Sequence, residues 1–112
     1  MIQNILKFLL TGFAVMISAY IIPGVTVSNY YVALVAAVVI AILNIFVKPL
    51  LILFSLPINI LTLGLFTFVI NTAIIAIAAA IVPGFEANSF WAALLFSILL
   101  SLVTAILHKL LV

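Results

Sequence analysis

Residues 46–66 read FVKPLLILFSLPINILTLGLF. The stretch is apolar enough for a lipid bilayer. Yet it carries Lys48, Pro49, Ser55, Pro57, Asn59, Thr62 and Gly64 at the middle of the chain. In hydrocarbon there is no water to satisfy a broken backbone. Irregular chain at that depth survives only where protein buries it or water reaches it. Pro49 suits the first turn of a new helix just after Lys48, and Pro57 breaks the chain again. Asn59 and Thr62 can bond the backbone groups that the break frees, and Gly64 permits the close approach of a neighbouring helix. Residues 49–60 therefore read as a short interfacial or re-entrant segment. The alternative is an overlong, kinked helix beginning near Pro57.

The flanks set the solvent. Of 112 residues, 71% are hydrophobic and 4% charged, where a soluble domain has roughly 45–50% apolar and about 25% charged residues. A water-soluble fold would have no polar surface to show, so most of the chain faces lipid. A bilayer-spanning helix needs about 20 residues. Four apolar segments fit, at about 5–22, 30–47, 61–82 and 90–107. The first stops at Pro23-Gly24, the second at Lys48-Pro49, the third at Pro83-Gly84 and the fourth at His108-Lys109. Proline cannot continue a helix, and glycine often follows a helix end. Strands are not expected, because strict apolar–polar alternation is absent. No Ala-x-Ala-like cleavage site follows the first segment, which reads as a membrane helix rather than a removed signal peptide.

The chain also repeats itself. A shift of 60 residues lays Pro23-Gly24 on Pro83-Gly84, Tyr30-Tyr31 on Phe90-Trp91, Ala33 on Ala93 and Lys48 on His108, with no gap from Thr11/Asn71 onwards. The expected fold is an all-α integral membrane protein, one membrane domain over 1–112. Its four transmembrane helices form two duplicated helical hairpins, unit 1 at about 5–51 and unit 2 at about 61–112, joined by the linker at 49–60. Tyr30, Tyr31 and Trp91 open the second helix of each unit. Aromatic rings of that kind anchor at the headgroups, which puts both Pro-Gly loops at one interface. Lys7, Lys48 and Lys109 then share the other side, and the positive-inside rule places both termini in the cytoplasm.

Small side chains recur at helical spacing. Ala33, Ala37 and Ala41 lead to Asn44 and Lys48; Ala93, Ser97 and Ser101 lead to Thr104 and His108. Such faces let membrane helices approach closely, either within one chain or between subunits. Asn44 and Asn71 are costly in hydrocarbon without partners. They specify packing more than they drive it, and Asn44→Leu is expected to weaken the native assembly. Glu86 belongs to a loop. Lys48 reads as a residue that snorkels to the headgroups. No cysteine, acid pair or phosphate loop is present, so no cofactor, metal site or catalytic set is expected, and the chain reads as a non-enzyme. Isolated lysines make no nucleic-acid surface, and no small-molecule substrate is identifiable.

Asn44 to Asn71 reads N-I-F-V-K-P-L-L-x-x-x-S-L-P-I-N-I-L-T-L-G-L-F-x-x-x-I-N. This run resembles the signature of the small bacterial four-helix phage-holin-like (YvlD-type) membrane proteins, and the resemblance extends over nearly the whole chain. It implies a multi-pass protein of the bacterial inner membrane. It marks Asn44, Lys48, Pro49, Pro57, Asn59, Thr62, Gly64 and Asn71; the lysine stands where an arginine is often found. It carries no enzymatic activity with it, and the holin label follows size and hydropathy. Three functions compete. A structural or envelope-associated homo-oligomer would use the small-residue faces. A holin-type pore former would permeabilise the membrane. The third is a small transporter or lipid-handling protein, and a transporter predicts a water-accessible cavity beside Asn44 and Asn71.

Overall fold

The computed structural model describes residues 1–111; residue 112, the last of the second repeat unit, lies outside them. The described chain runs α1 (Ile2–Ile21), β1 (Val25–Val27), α2 (Tyr30–Phe54), α3 (Leu56–Leu61), α4 (Phe66–Ile81), β2 (Phe85–Ala87) and α5 (Phe90–Leu111). Helices α1, α2 and α5 are each long and apolar enough to cross a membrane, while α4, with 16 residues, is shorter.

Both Pro-Gly pairs end a helix as the sequence implies. Ile22 and Val82 turn extended, and their N–H groups still donate to the carbonyls of Ser18 and Ala78 at 3.0 and 2.9 Å. The chain then forms a short strand, against the expectation of none. Val25-Thr26-Val27 pairs antiparallel with Phe85-Glu86-Ala87, with Thr26 opposite Glu86. The strand after α1 and the strand after α4 each satisfy the backbone groups that the other leaves free. Such a short ribbon has too few residues to show alternation. Gly84 sits at φ 89°, and a Cβ there would meet Ser28 Oγ at 2.7 Å.

Hydrogen bonds around the ribbon recur at the 60-residue offset. Ser28 N–H donates to Gly84 O at 3.0 Å, and Asn88 N–H to Gly24 O at 2.7 Å. The Asn29 side chain accepts from Val32 N–H at 2.9 Å and so caps α2. The Ser89 hydroxyl accepts from Ala92 N–H at 3.1 Å and does the same for α5. These matched bonds place a local two-fold axis through the Thr26–Glu86 pair.

Helix α1 packs against α2 and α5, and α4 packs against the same two. The four long helices thus form a ring in which α2 and α5 face each other across the middle without close backbone contact. At the ribbon end the middle is filled. Ala14, Val15, Ala33, Ala36, Ala78, Phe85 and Phe96 have no exposed surface, and the rings of Phe85 and Phe96 meet at 5.5 Å. In lipid, helices gain little from burying apolar area, so close van der Waals contact through alanine is what holds them. Ala33, Ala37, Ala93 and Ser97 are buried inside this single chain. Their small-residue faces serve intramolecular packing rather than a subunit interface.

The second expected span does not stop at Lys48-Pro49. Helix α2 continues through Pro49 to Phe54. A proline removes one ladder bond but need not end a membrane helix, since neighbouring groups can satisfy what it frees. The stop comes at Ser55, whose hydroxyl donates to Leu51 O at 2.6 Å, followed by Pro57 in the first turn of α3. The linking helix is therefore six residues long, not the whole of 49–60, and α4 begins at Phe66 rather than near Leu61.

Candidate functional site

The polar side chains of the helices gather at one end of the ring, the end that carries the lysines. Asn44 and Lys48 come from α2, Asn71 from α4, and Ser97 and Ser101 from α5; together they line a cavity of about 70 Å³. On the other side of the same gap, Thr11, Asn44, Ser101 and Thr104 line an open crevice of about 380 Å³. Ile40 and Leu100 border both spaces and are each 8% exposed. They form the floor, beneath the packed ribbon half.

The gap follows from side-chain size. Towards the ribbon, α2 and α5 meet the core through Ala33, Ala37, Ala93 and Phe96. Towards the lysines, the same stripes present Ala41, Asn44, Ser101 and Thr104, which are too small or too polar to fill the middle. Ala41, Asn44 and Ser101 are exposed. Asn44 and Asn71 make no side-chain hydrogen bond among the described residues, so neither pins a neighbouring helix in the way their cost in hydrocarbon suggests. The Thr104 hydroxyl is buried and unpartnered. Ser97 is engaged, donating to Leu94 O at 2.8 Å.

Across the local two-fold, Lys48 and Asn71 correspond to His108 and Thr11, and that second pair is in contact. His108 Nε2 lies 3.2 Å from Thr11 Oγ1 and 3.2 Å from Lys7 O. Thr11 already donates its hydroxyl proton to Lys7 O at 2.8 Å. A carbonyl has no proton to give, so Nε2 carries one and shares it between the two oxygens. This contact ties the end of α5 to α1. Sequence reasoning passes over Thr11 as a site residue, although the 60-residue offset pairs it with Asn71.

Charge in the crevice has one sign. The chain holds a single acidic residue, Glu86, which sits on the ribbon opposite Thr26. Lys48 therefore has no carboxylate partner among the described residues. Of the remaining signature residues, Pro49 lies within α2, and Pro57, Asn59, Thr62 and Gly64 belong to α3 and the turn from α3 to α4. Thr62 Oγ1 donates to Asn59 O at 3.2 Å and accepts from Phe66 N–H at 3.1 Å. Thr67 donates to Asn59 Oδ1 at 3.4 Å. Gly64 takes φ 89°, and a Cβ added there would meet nothing within 4 Å. It is there for its backbone conformation, not for a close helix approach. Pro57 starts α3, and Thr62 bonds backbone groups as the sequence suggests, whereas the Asn59 side chain meets the Thr67 hydroxyl instead of the backbone.

The aromatic residues divide. Tyr31 and Trp91 are 74% and 69% exposed. Tyr30 instead lies along α1, its hydroxyl donating to Leu9 O at 2.7 Å. This bond ties α2 to α1 while the ring stays 38% exposed. Pro23 and Pro83 remain exposed at the loop breaks, beside Gly24 and Gly84.

The family model described as "Mycobacterial 4 TMS phage holin, superfamily IV" matches residues 2–106. The chain belongs to this family. It is also 36% identical over 96 residues to the uncharacterized membrane protein YvlD of Bacillus subtilis (strain 168), covering 85% of this chain and 80% of that one. It is 32% identical over 85 residues to the uncharacterized protein SCO3922 of Streptomyces coelicolor A3(2), covering 72% of this chain and 68% of that one. No solved structure matches it. This phage-holin-family chain is thus a membrane protein of several apolar helices, and its signature residues other than Pro49 fall into two places, the polar end of the ring and α3 with its turn into α4.

Proposed function

We propose that this phage-holin-family protein is a non-catalytic, four-span protein of the bacterial cell membrane, built from a duplicated hairpin. Its lysine-bearing end and both termini face the cytoplasm. It acts as a structural, envelope-associated unit and not as a pore within one chain. The observation that carries this reading is the blind end of the crevice on Ile40 and Leu100, under the close-packed middle of the ribbon half. The interior use of Ala33, Ala37, Ala93 and Ser97 moves self-association elsewhere. We assign it to the outer face of α4, where Ala76 and Ala80 are exposed one turn apart and offer the small-residue spacing that membrane helices pack through.

Controlled expression with a membrane-potential dye and a small-solute release assay tests the proposal. Membranes that hold their potential at high expression support it. Rapid depolarisation would overturn it in favour of the holin-type pore. A second reading, lipid handling, is favoured by a specific observation: Asn44 and Lys48, which line the polar cavity with Asn71, also line an apolar groove.

A further inference from the structure

That groove runs along α2 into α3. Pro49, Ile52, Leu53 and Leu56 line it, with Asn44 and Lys48 at its inner end, and its volume is about 390 Å³. Asn44 and Lys48 also line the 70 Å³ polar cavity, so the same two side chains border both spaces. They thus stand between a polar inner lobe, which Asn71 and Ser101 also line, and an apolar outer lobe. A single water needs about 10–15 Å³ of such space, so the inner lobe has room for a few waters or one tetrahedral oxyanion.

We infer that this pocket binds an anionic phospholipid, with its phosphate at Lys48 and one acyl chain along Pro49 to Leu56. Charge complementarity selects the occupant. Lys48 is partly buried and lacks any acidic partner among the described residues, and a cation drawn out of water attracts a counter-charge. The one acidic side chain of the sequence, Glu86, is at the ribbon end, so no described residue supplies that counter-charge and an anion from outside can. A free inorganic anion would satisfy the inner lobe and leave the groove unused. A phosphatidylglycerol-type lipid fills both. The inference deepens the lipid-handling reading and rests on it; the pocket itself does not depend on which side of the membrane holds the lysines.

The test uses the full chain in a mild detergent. Native mass spectrometry and thermal unfolding are read with dioleoyl-phosphatidylglycerol, dioleoyl-phosphatidylcholine or sodium phosphate added. The expected result is phosphatidylglycerol adducts with a raised melting temperature and little effect from the other two. Lys48→Gln should weaken phosphatidylglycerol binding about tenfold, the scale of one lost charge-assisted bond. Lys48→Arg should retain it, and Lys109→Gln should not change it. Ile52→Trp, which fills the groove and keeps the charge, should also weaken binding, and it serves if Lys48→Gln does not fold. Equal binding of both lipids overturns the phosphate assignment and leaves lipid handling standing. Stabilisation by sodium phosphate equal to that by phosphatidylglycerol overturns the lipid in favour of a free anion. No binding of either lipid overturns both this inference and the reading beneath it.

Discussion

Gly84 and Gly64 share a backbone angle and differ in what surrounds them. Both sit at φ 89°, where an L side chain is strained. At Gly84 a Cβ would also press on Ser28 Oγ and on Val32 Cγ2, at 2.7 and 3.2 Å, whereas Gly64 has open space. Gly84→Ala should therefore cost more than Gly64→Ala, about 3 kcal/mol against about 1 kcal/mol. Unfolding midpoints in detergent would check the ranking, and equal losses would contradict it. The sequence cannot separate these two uses of glycine, because a turn and a tight contact both call for the same residue. Asn44 shows the same limit. An amide in an apolar run asks for a partner, and the expected partner is another helix. The structure gives it an exposed place at the mouth of a crevice instead. Asn44→Leu should leave the fold intact, with a melting temperature close to that of the native chain. A marked fall would show that Asn44 holds the helices together after all.

At the scale of elements, the Pro-Gly stops are legible because each acts locally: proline lacks the N–H and glycine accepts the positive φ. Pro49 misleads for the complementary reason. Its local effect is a lost bond to Ile45 O, yet Leu50–Phe54 keep the helix going, and the stop waits for Ser55 and Pro57. Pro49→Ala should then restore one ladder bond without altering the helix boundaries. Stability should rise, by at most about 3 kcal/mol, in a denaturant titration of the detergent-solubilised chain. A loss of stability would mean that the break at Pro49 is needed. The β ribbon is not legible, since its pairing lies between residues far apart in the chain and its strands are three residues long. Helix α4 presents Ala76 and Ala80 outward. Ala76→Leu should loosen any self-association by about tenfold, the equivalent of about 1.4 kcal/mol, as read by cross-linking in membranes. An unchanged cross-linked yield would remove α4 as the contact face.

Across the whole molecule, one offset organises most of what is seen. The 60-residue shift visible in Pro23/Pro83 and Lys48/His108 also relates the ribbon register, the caps of α2 and α5, and the places of Thr11 and Asn71. The polar residues themselves can be picked out from their cost in lipid. Their convergence cannot, because it depends on α2 and α5 parting where their small faces turn polar. That parting yields a molecule closed at the ribbon end and open at the lysine end. The chain has no cysteine, so single substitutions report cleanly on access from water. The most direct measurement is labelling of Ser101→Cys, Thr26→Cys and Ser18→Cys with a membrane-impermeant maleimide, in intact cells and in inverted vesicles. Ser101→Cys should react from the cytoplasmic side alone, Thr26→Cys from the opposite side alone, and Ser18→Cys, at a position fully buried beside the ribbon, from neither. Reaction of Ser18→Cys, or of Ser101→Cys from both sides, would reveal a path through the protein and contradict the closed ribbon end.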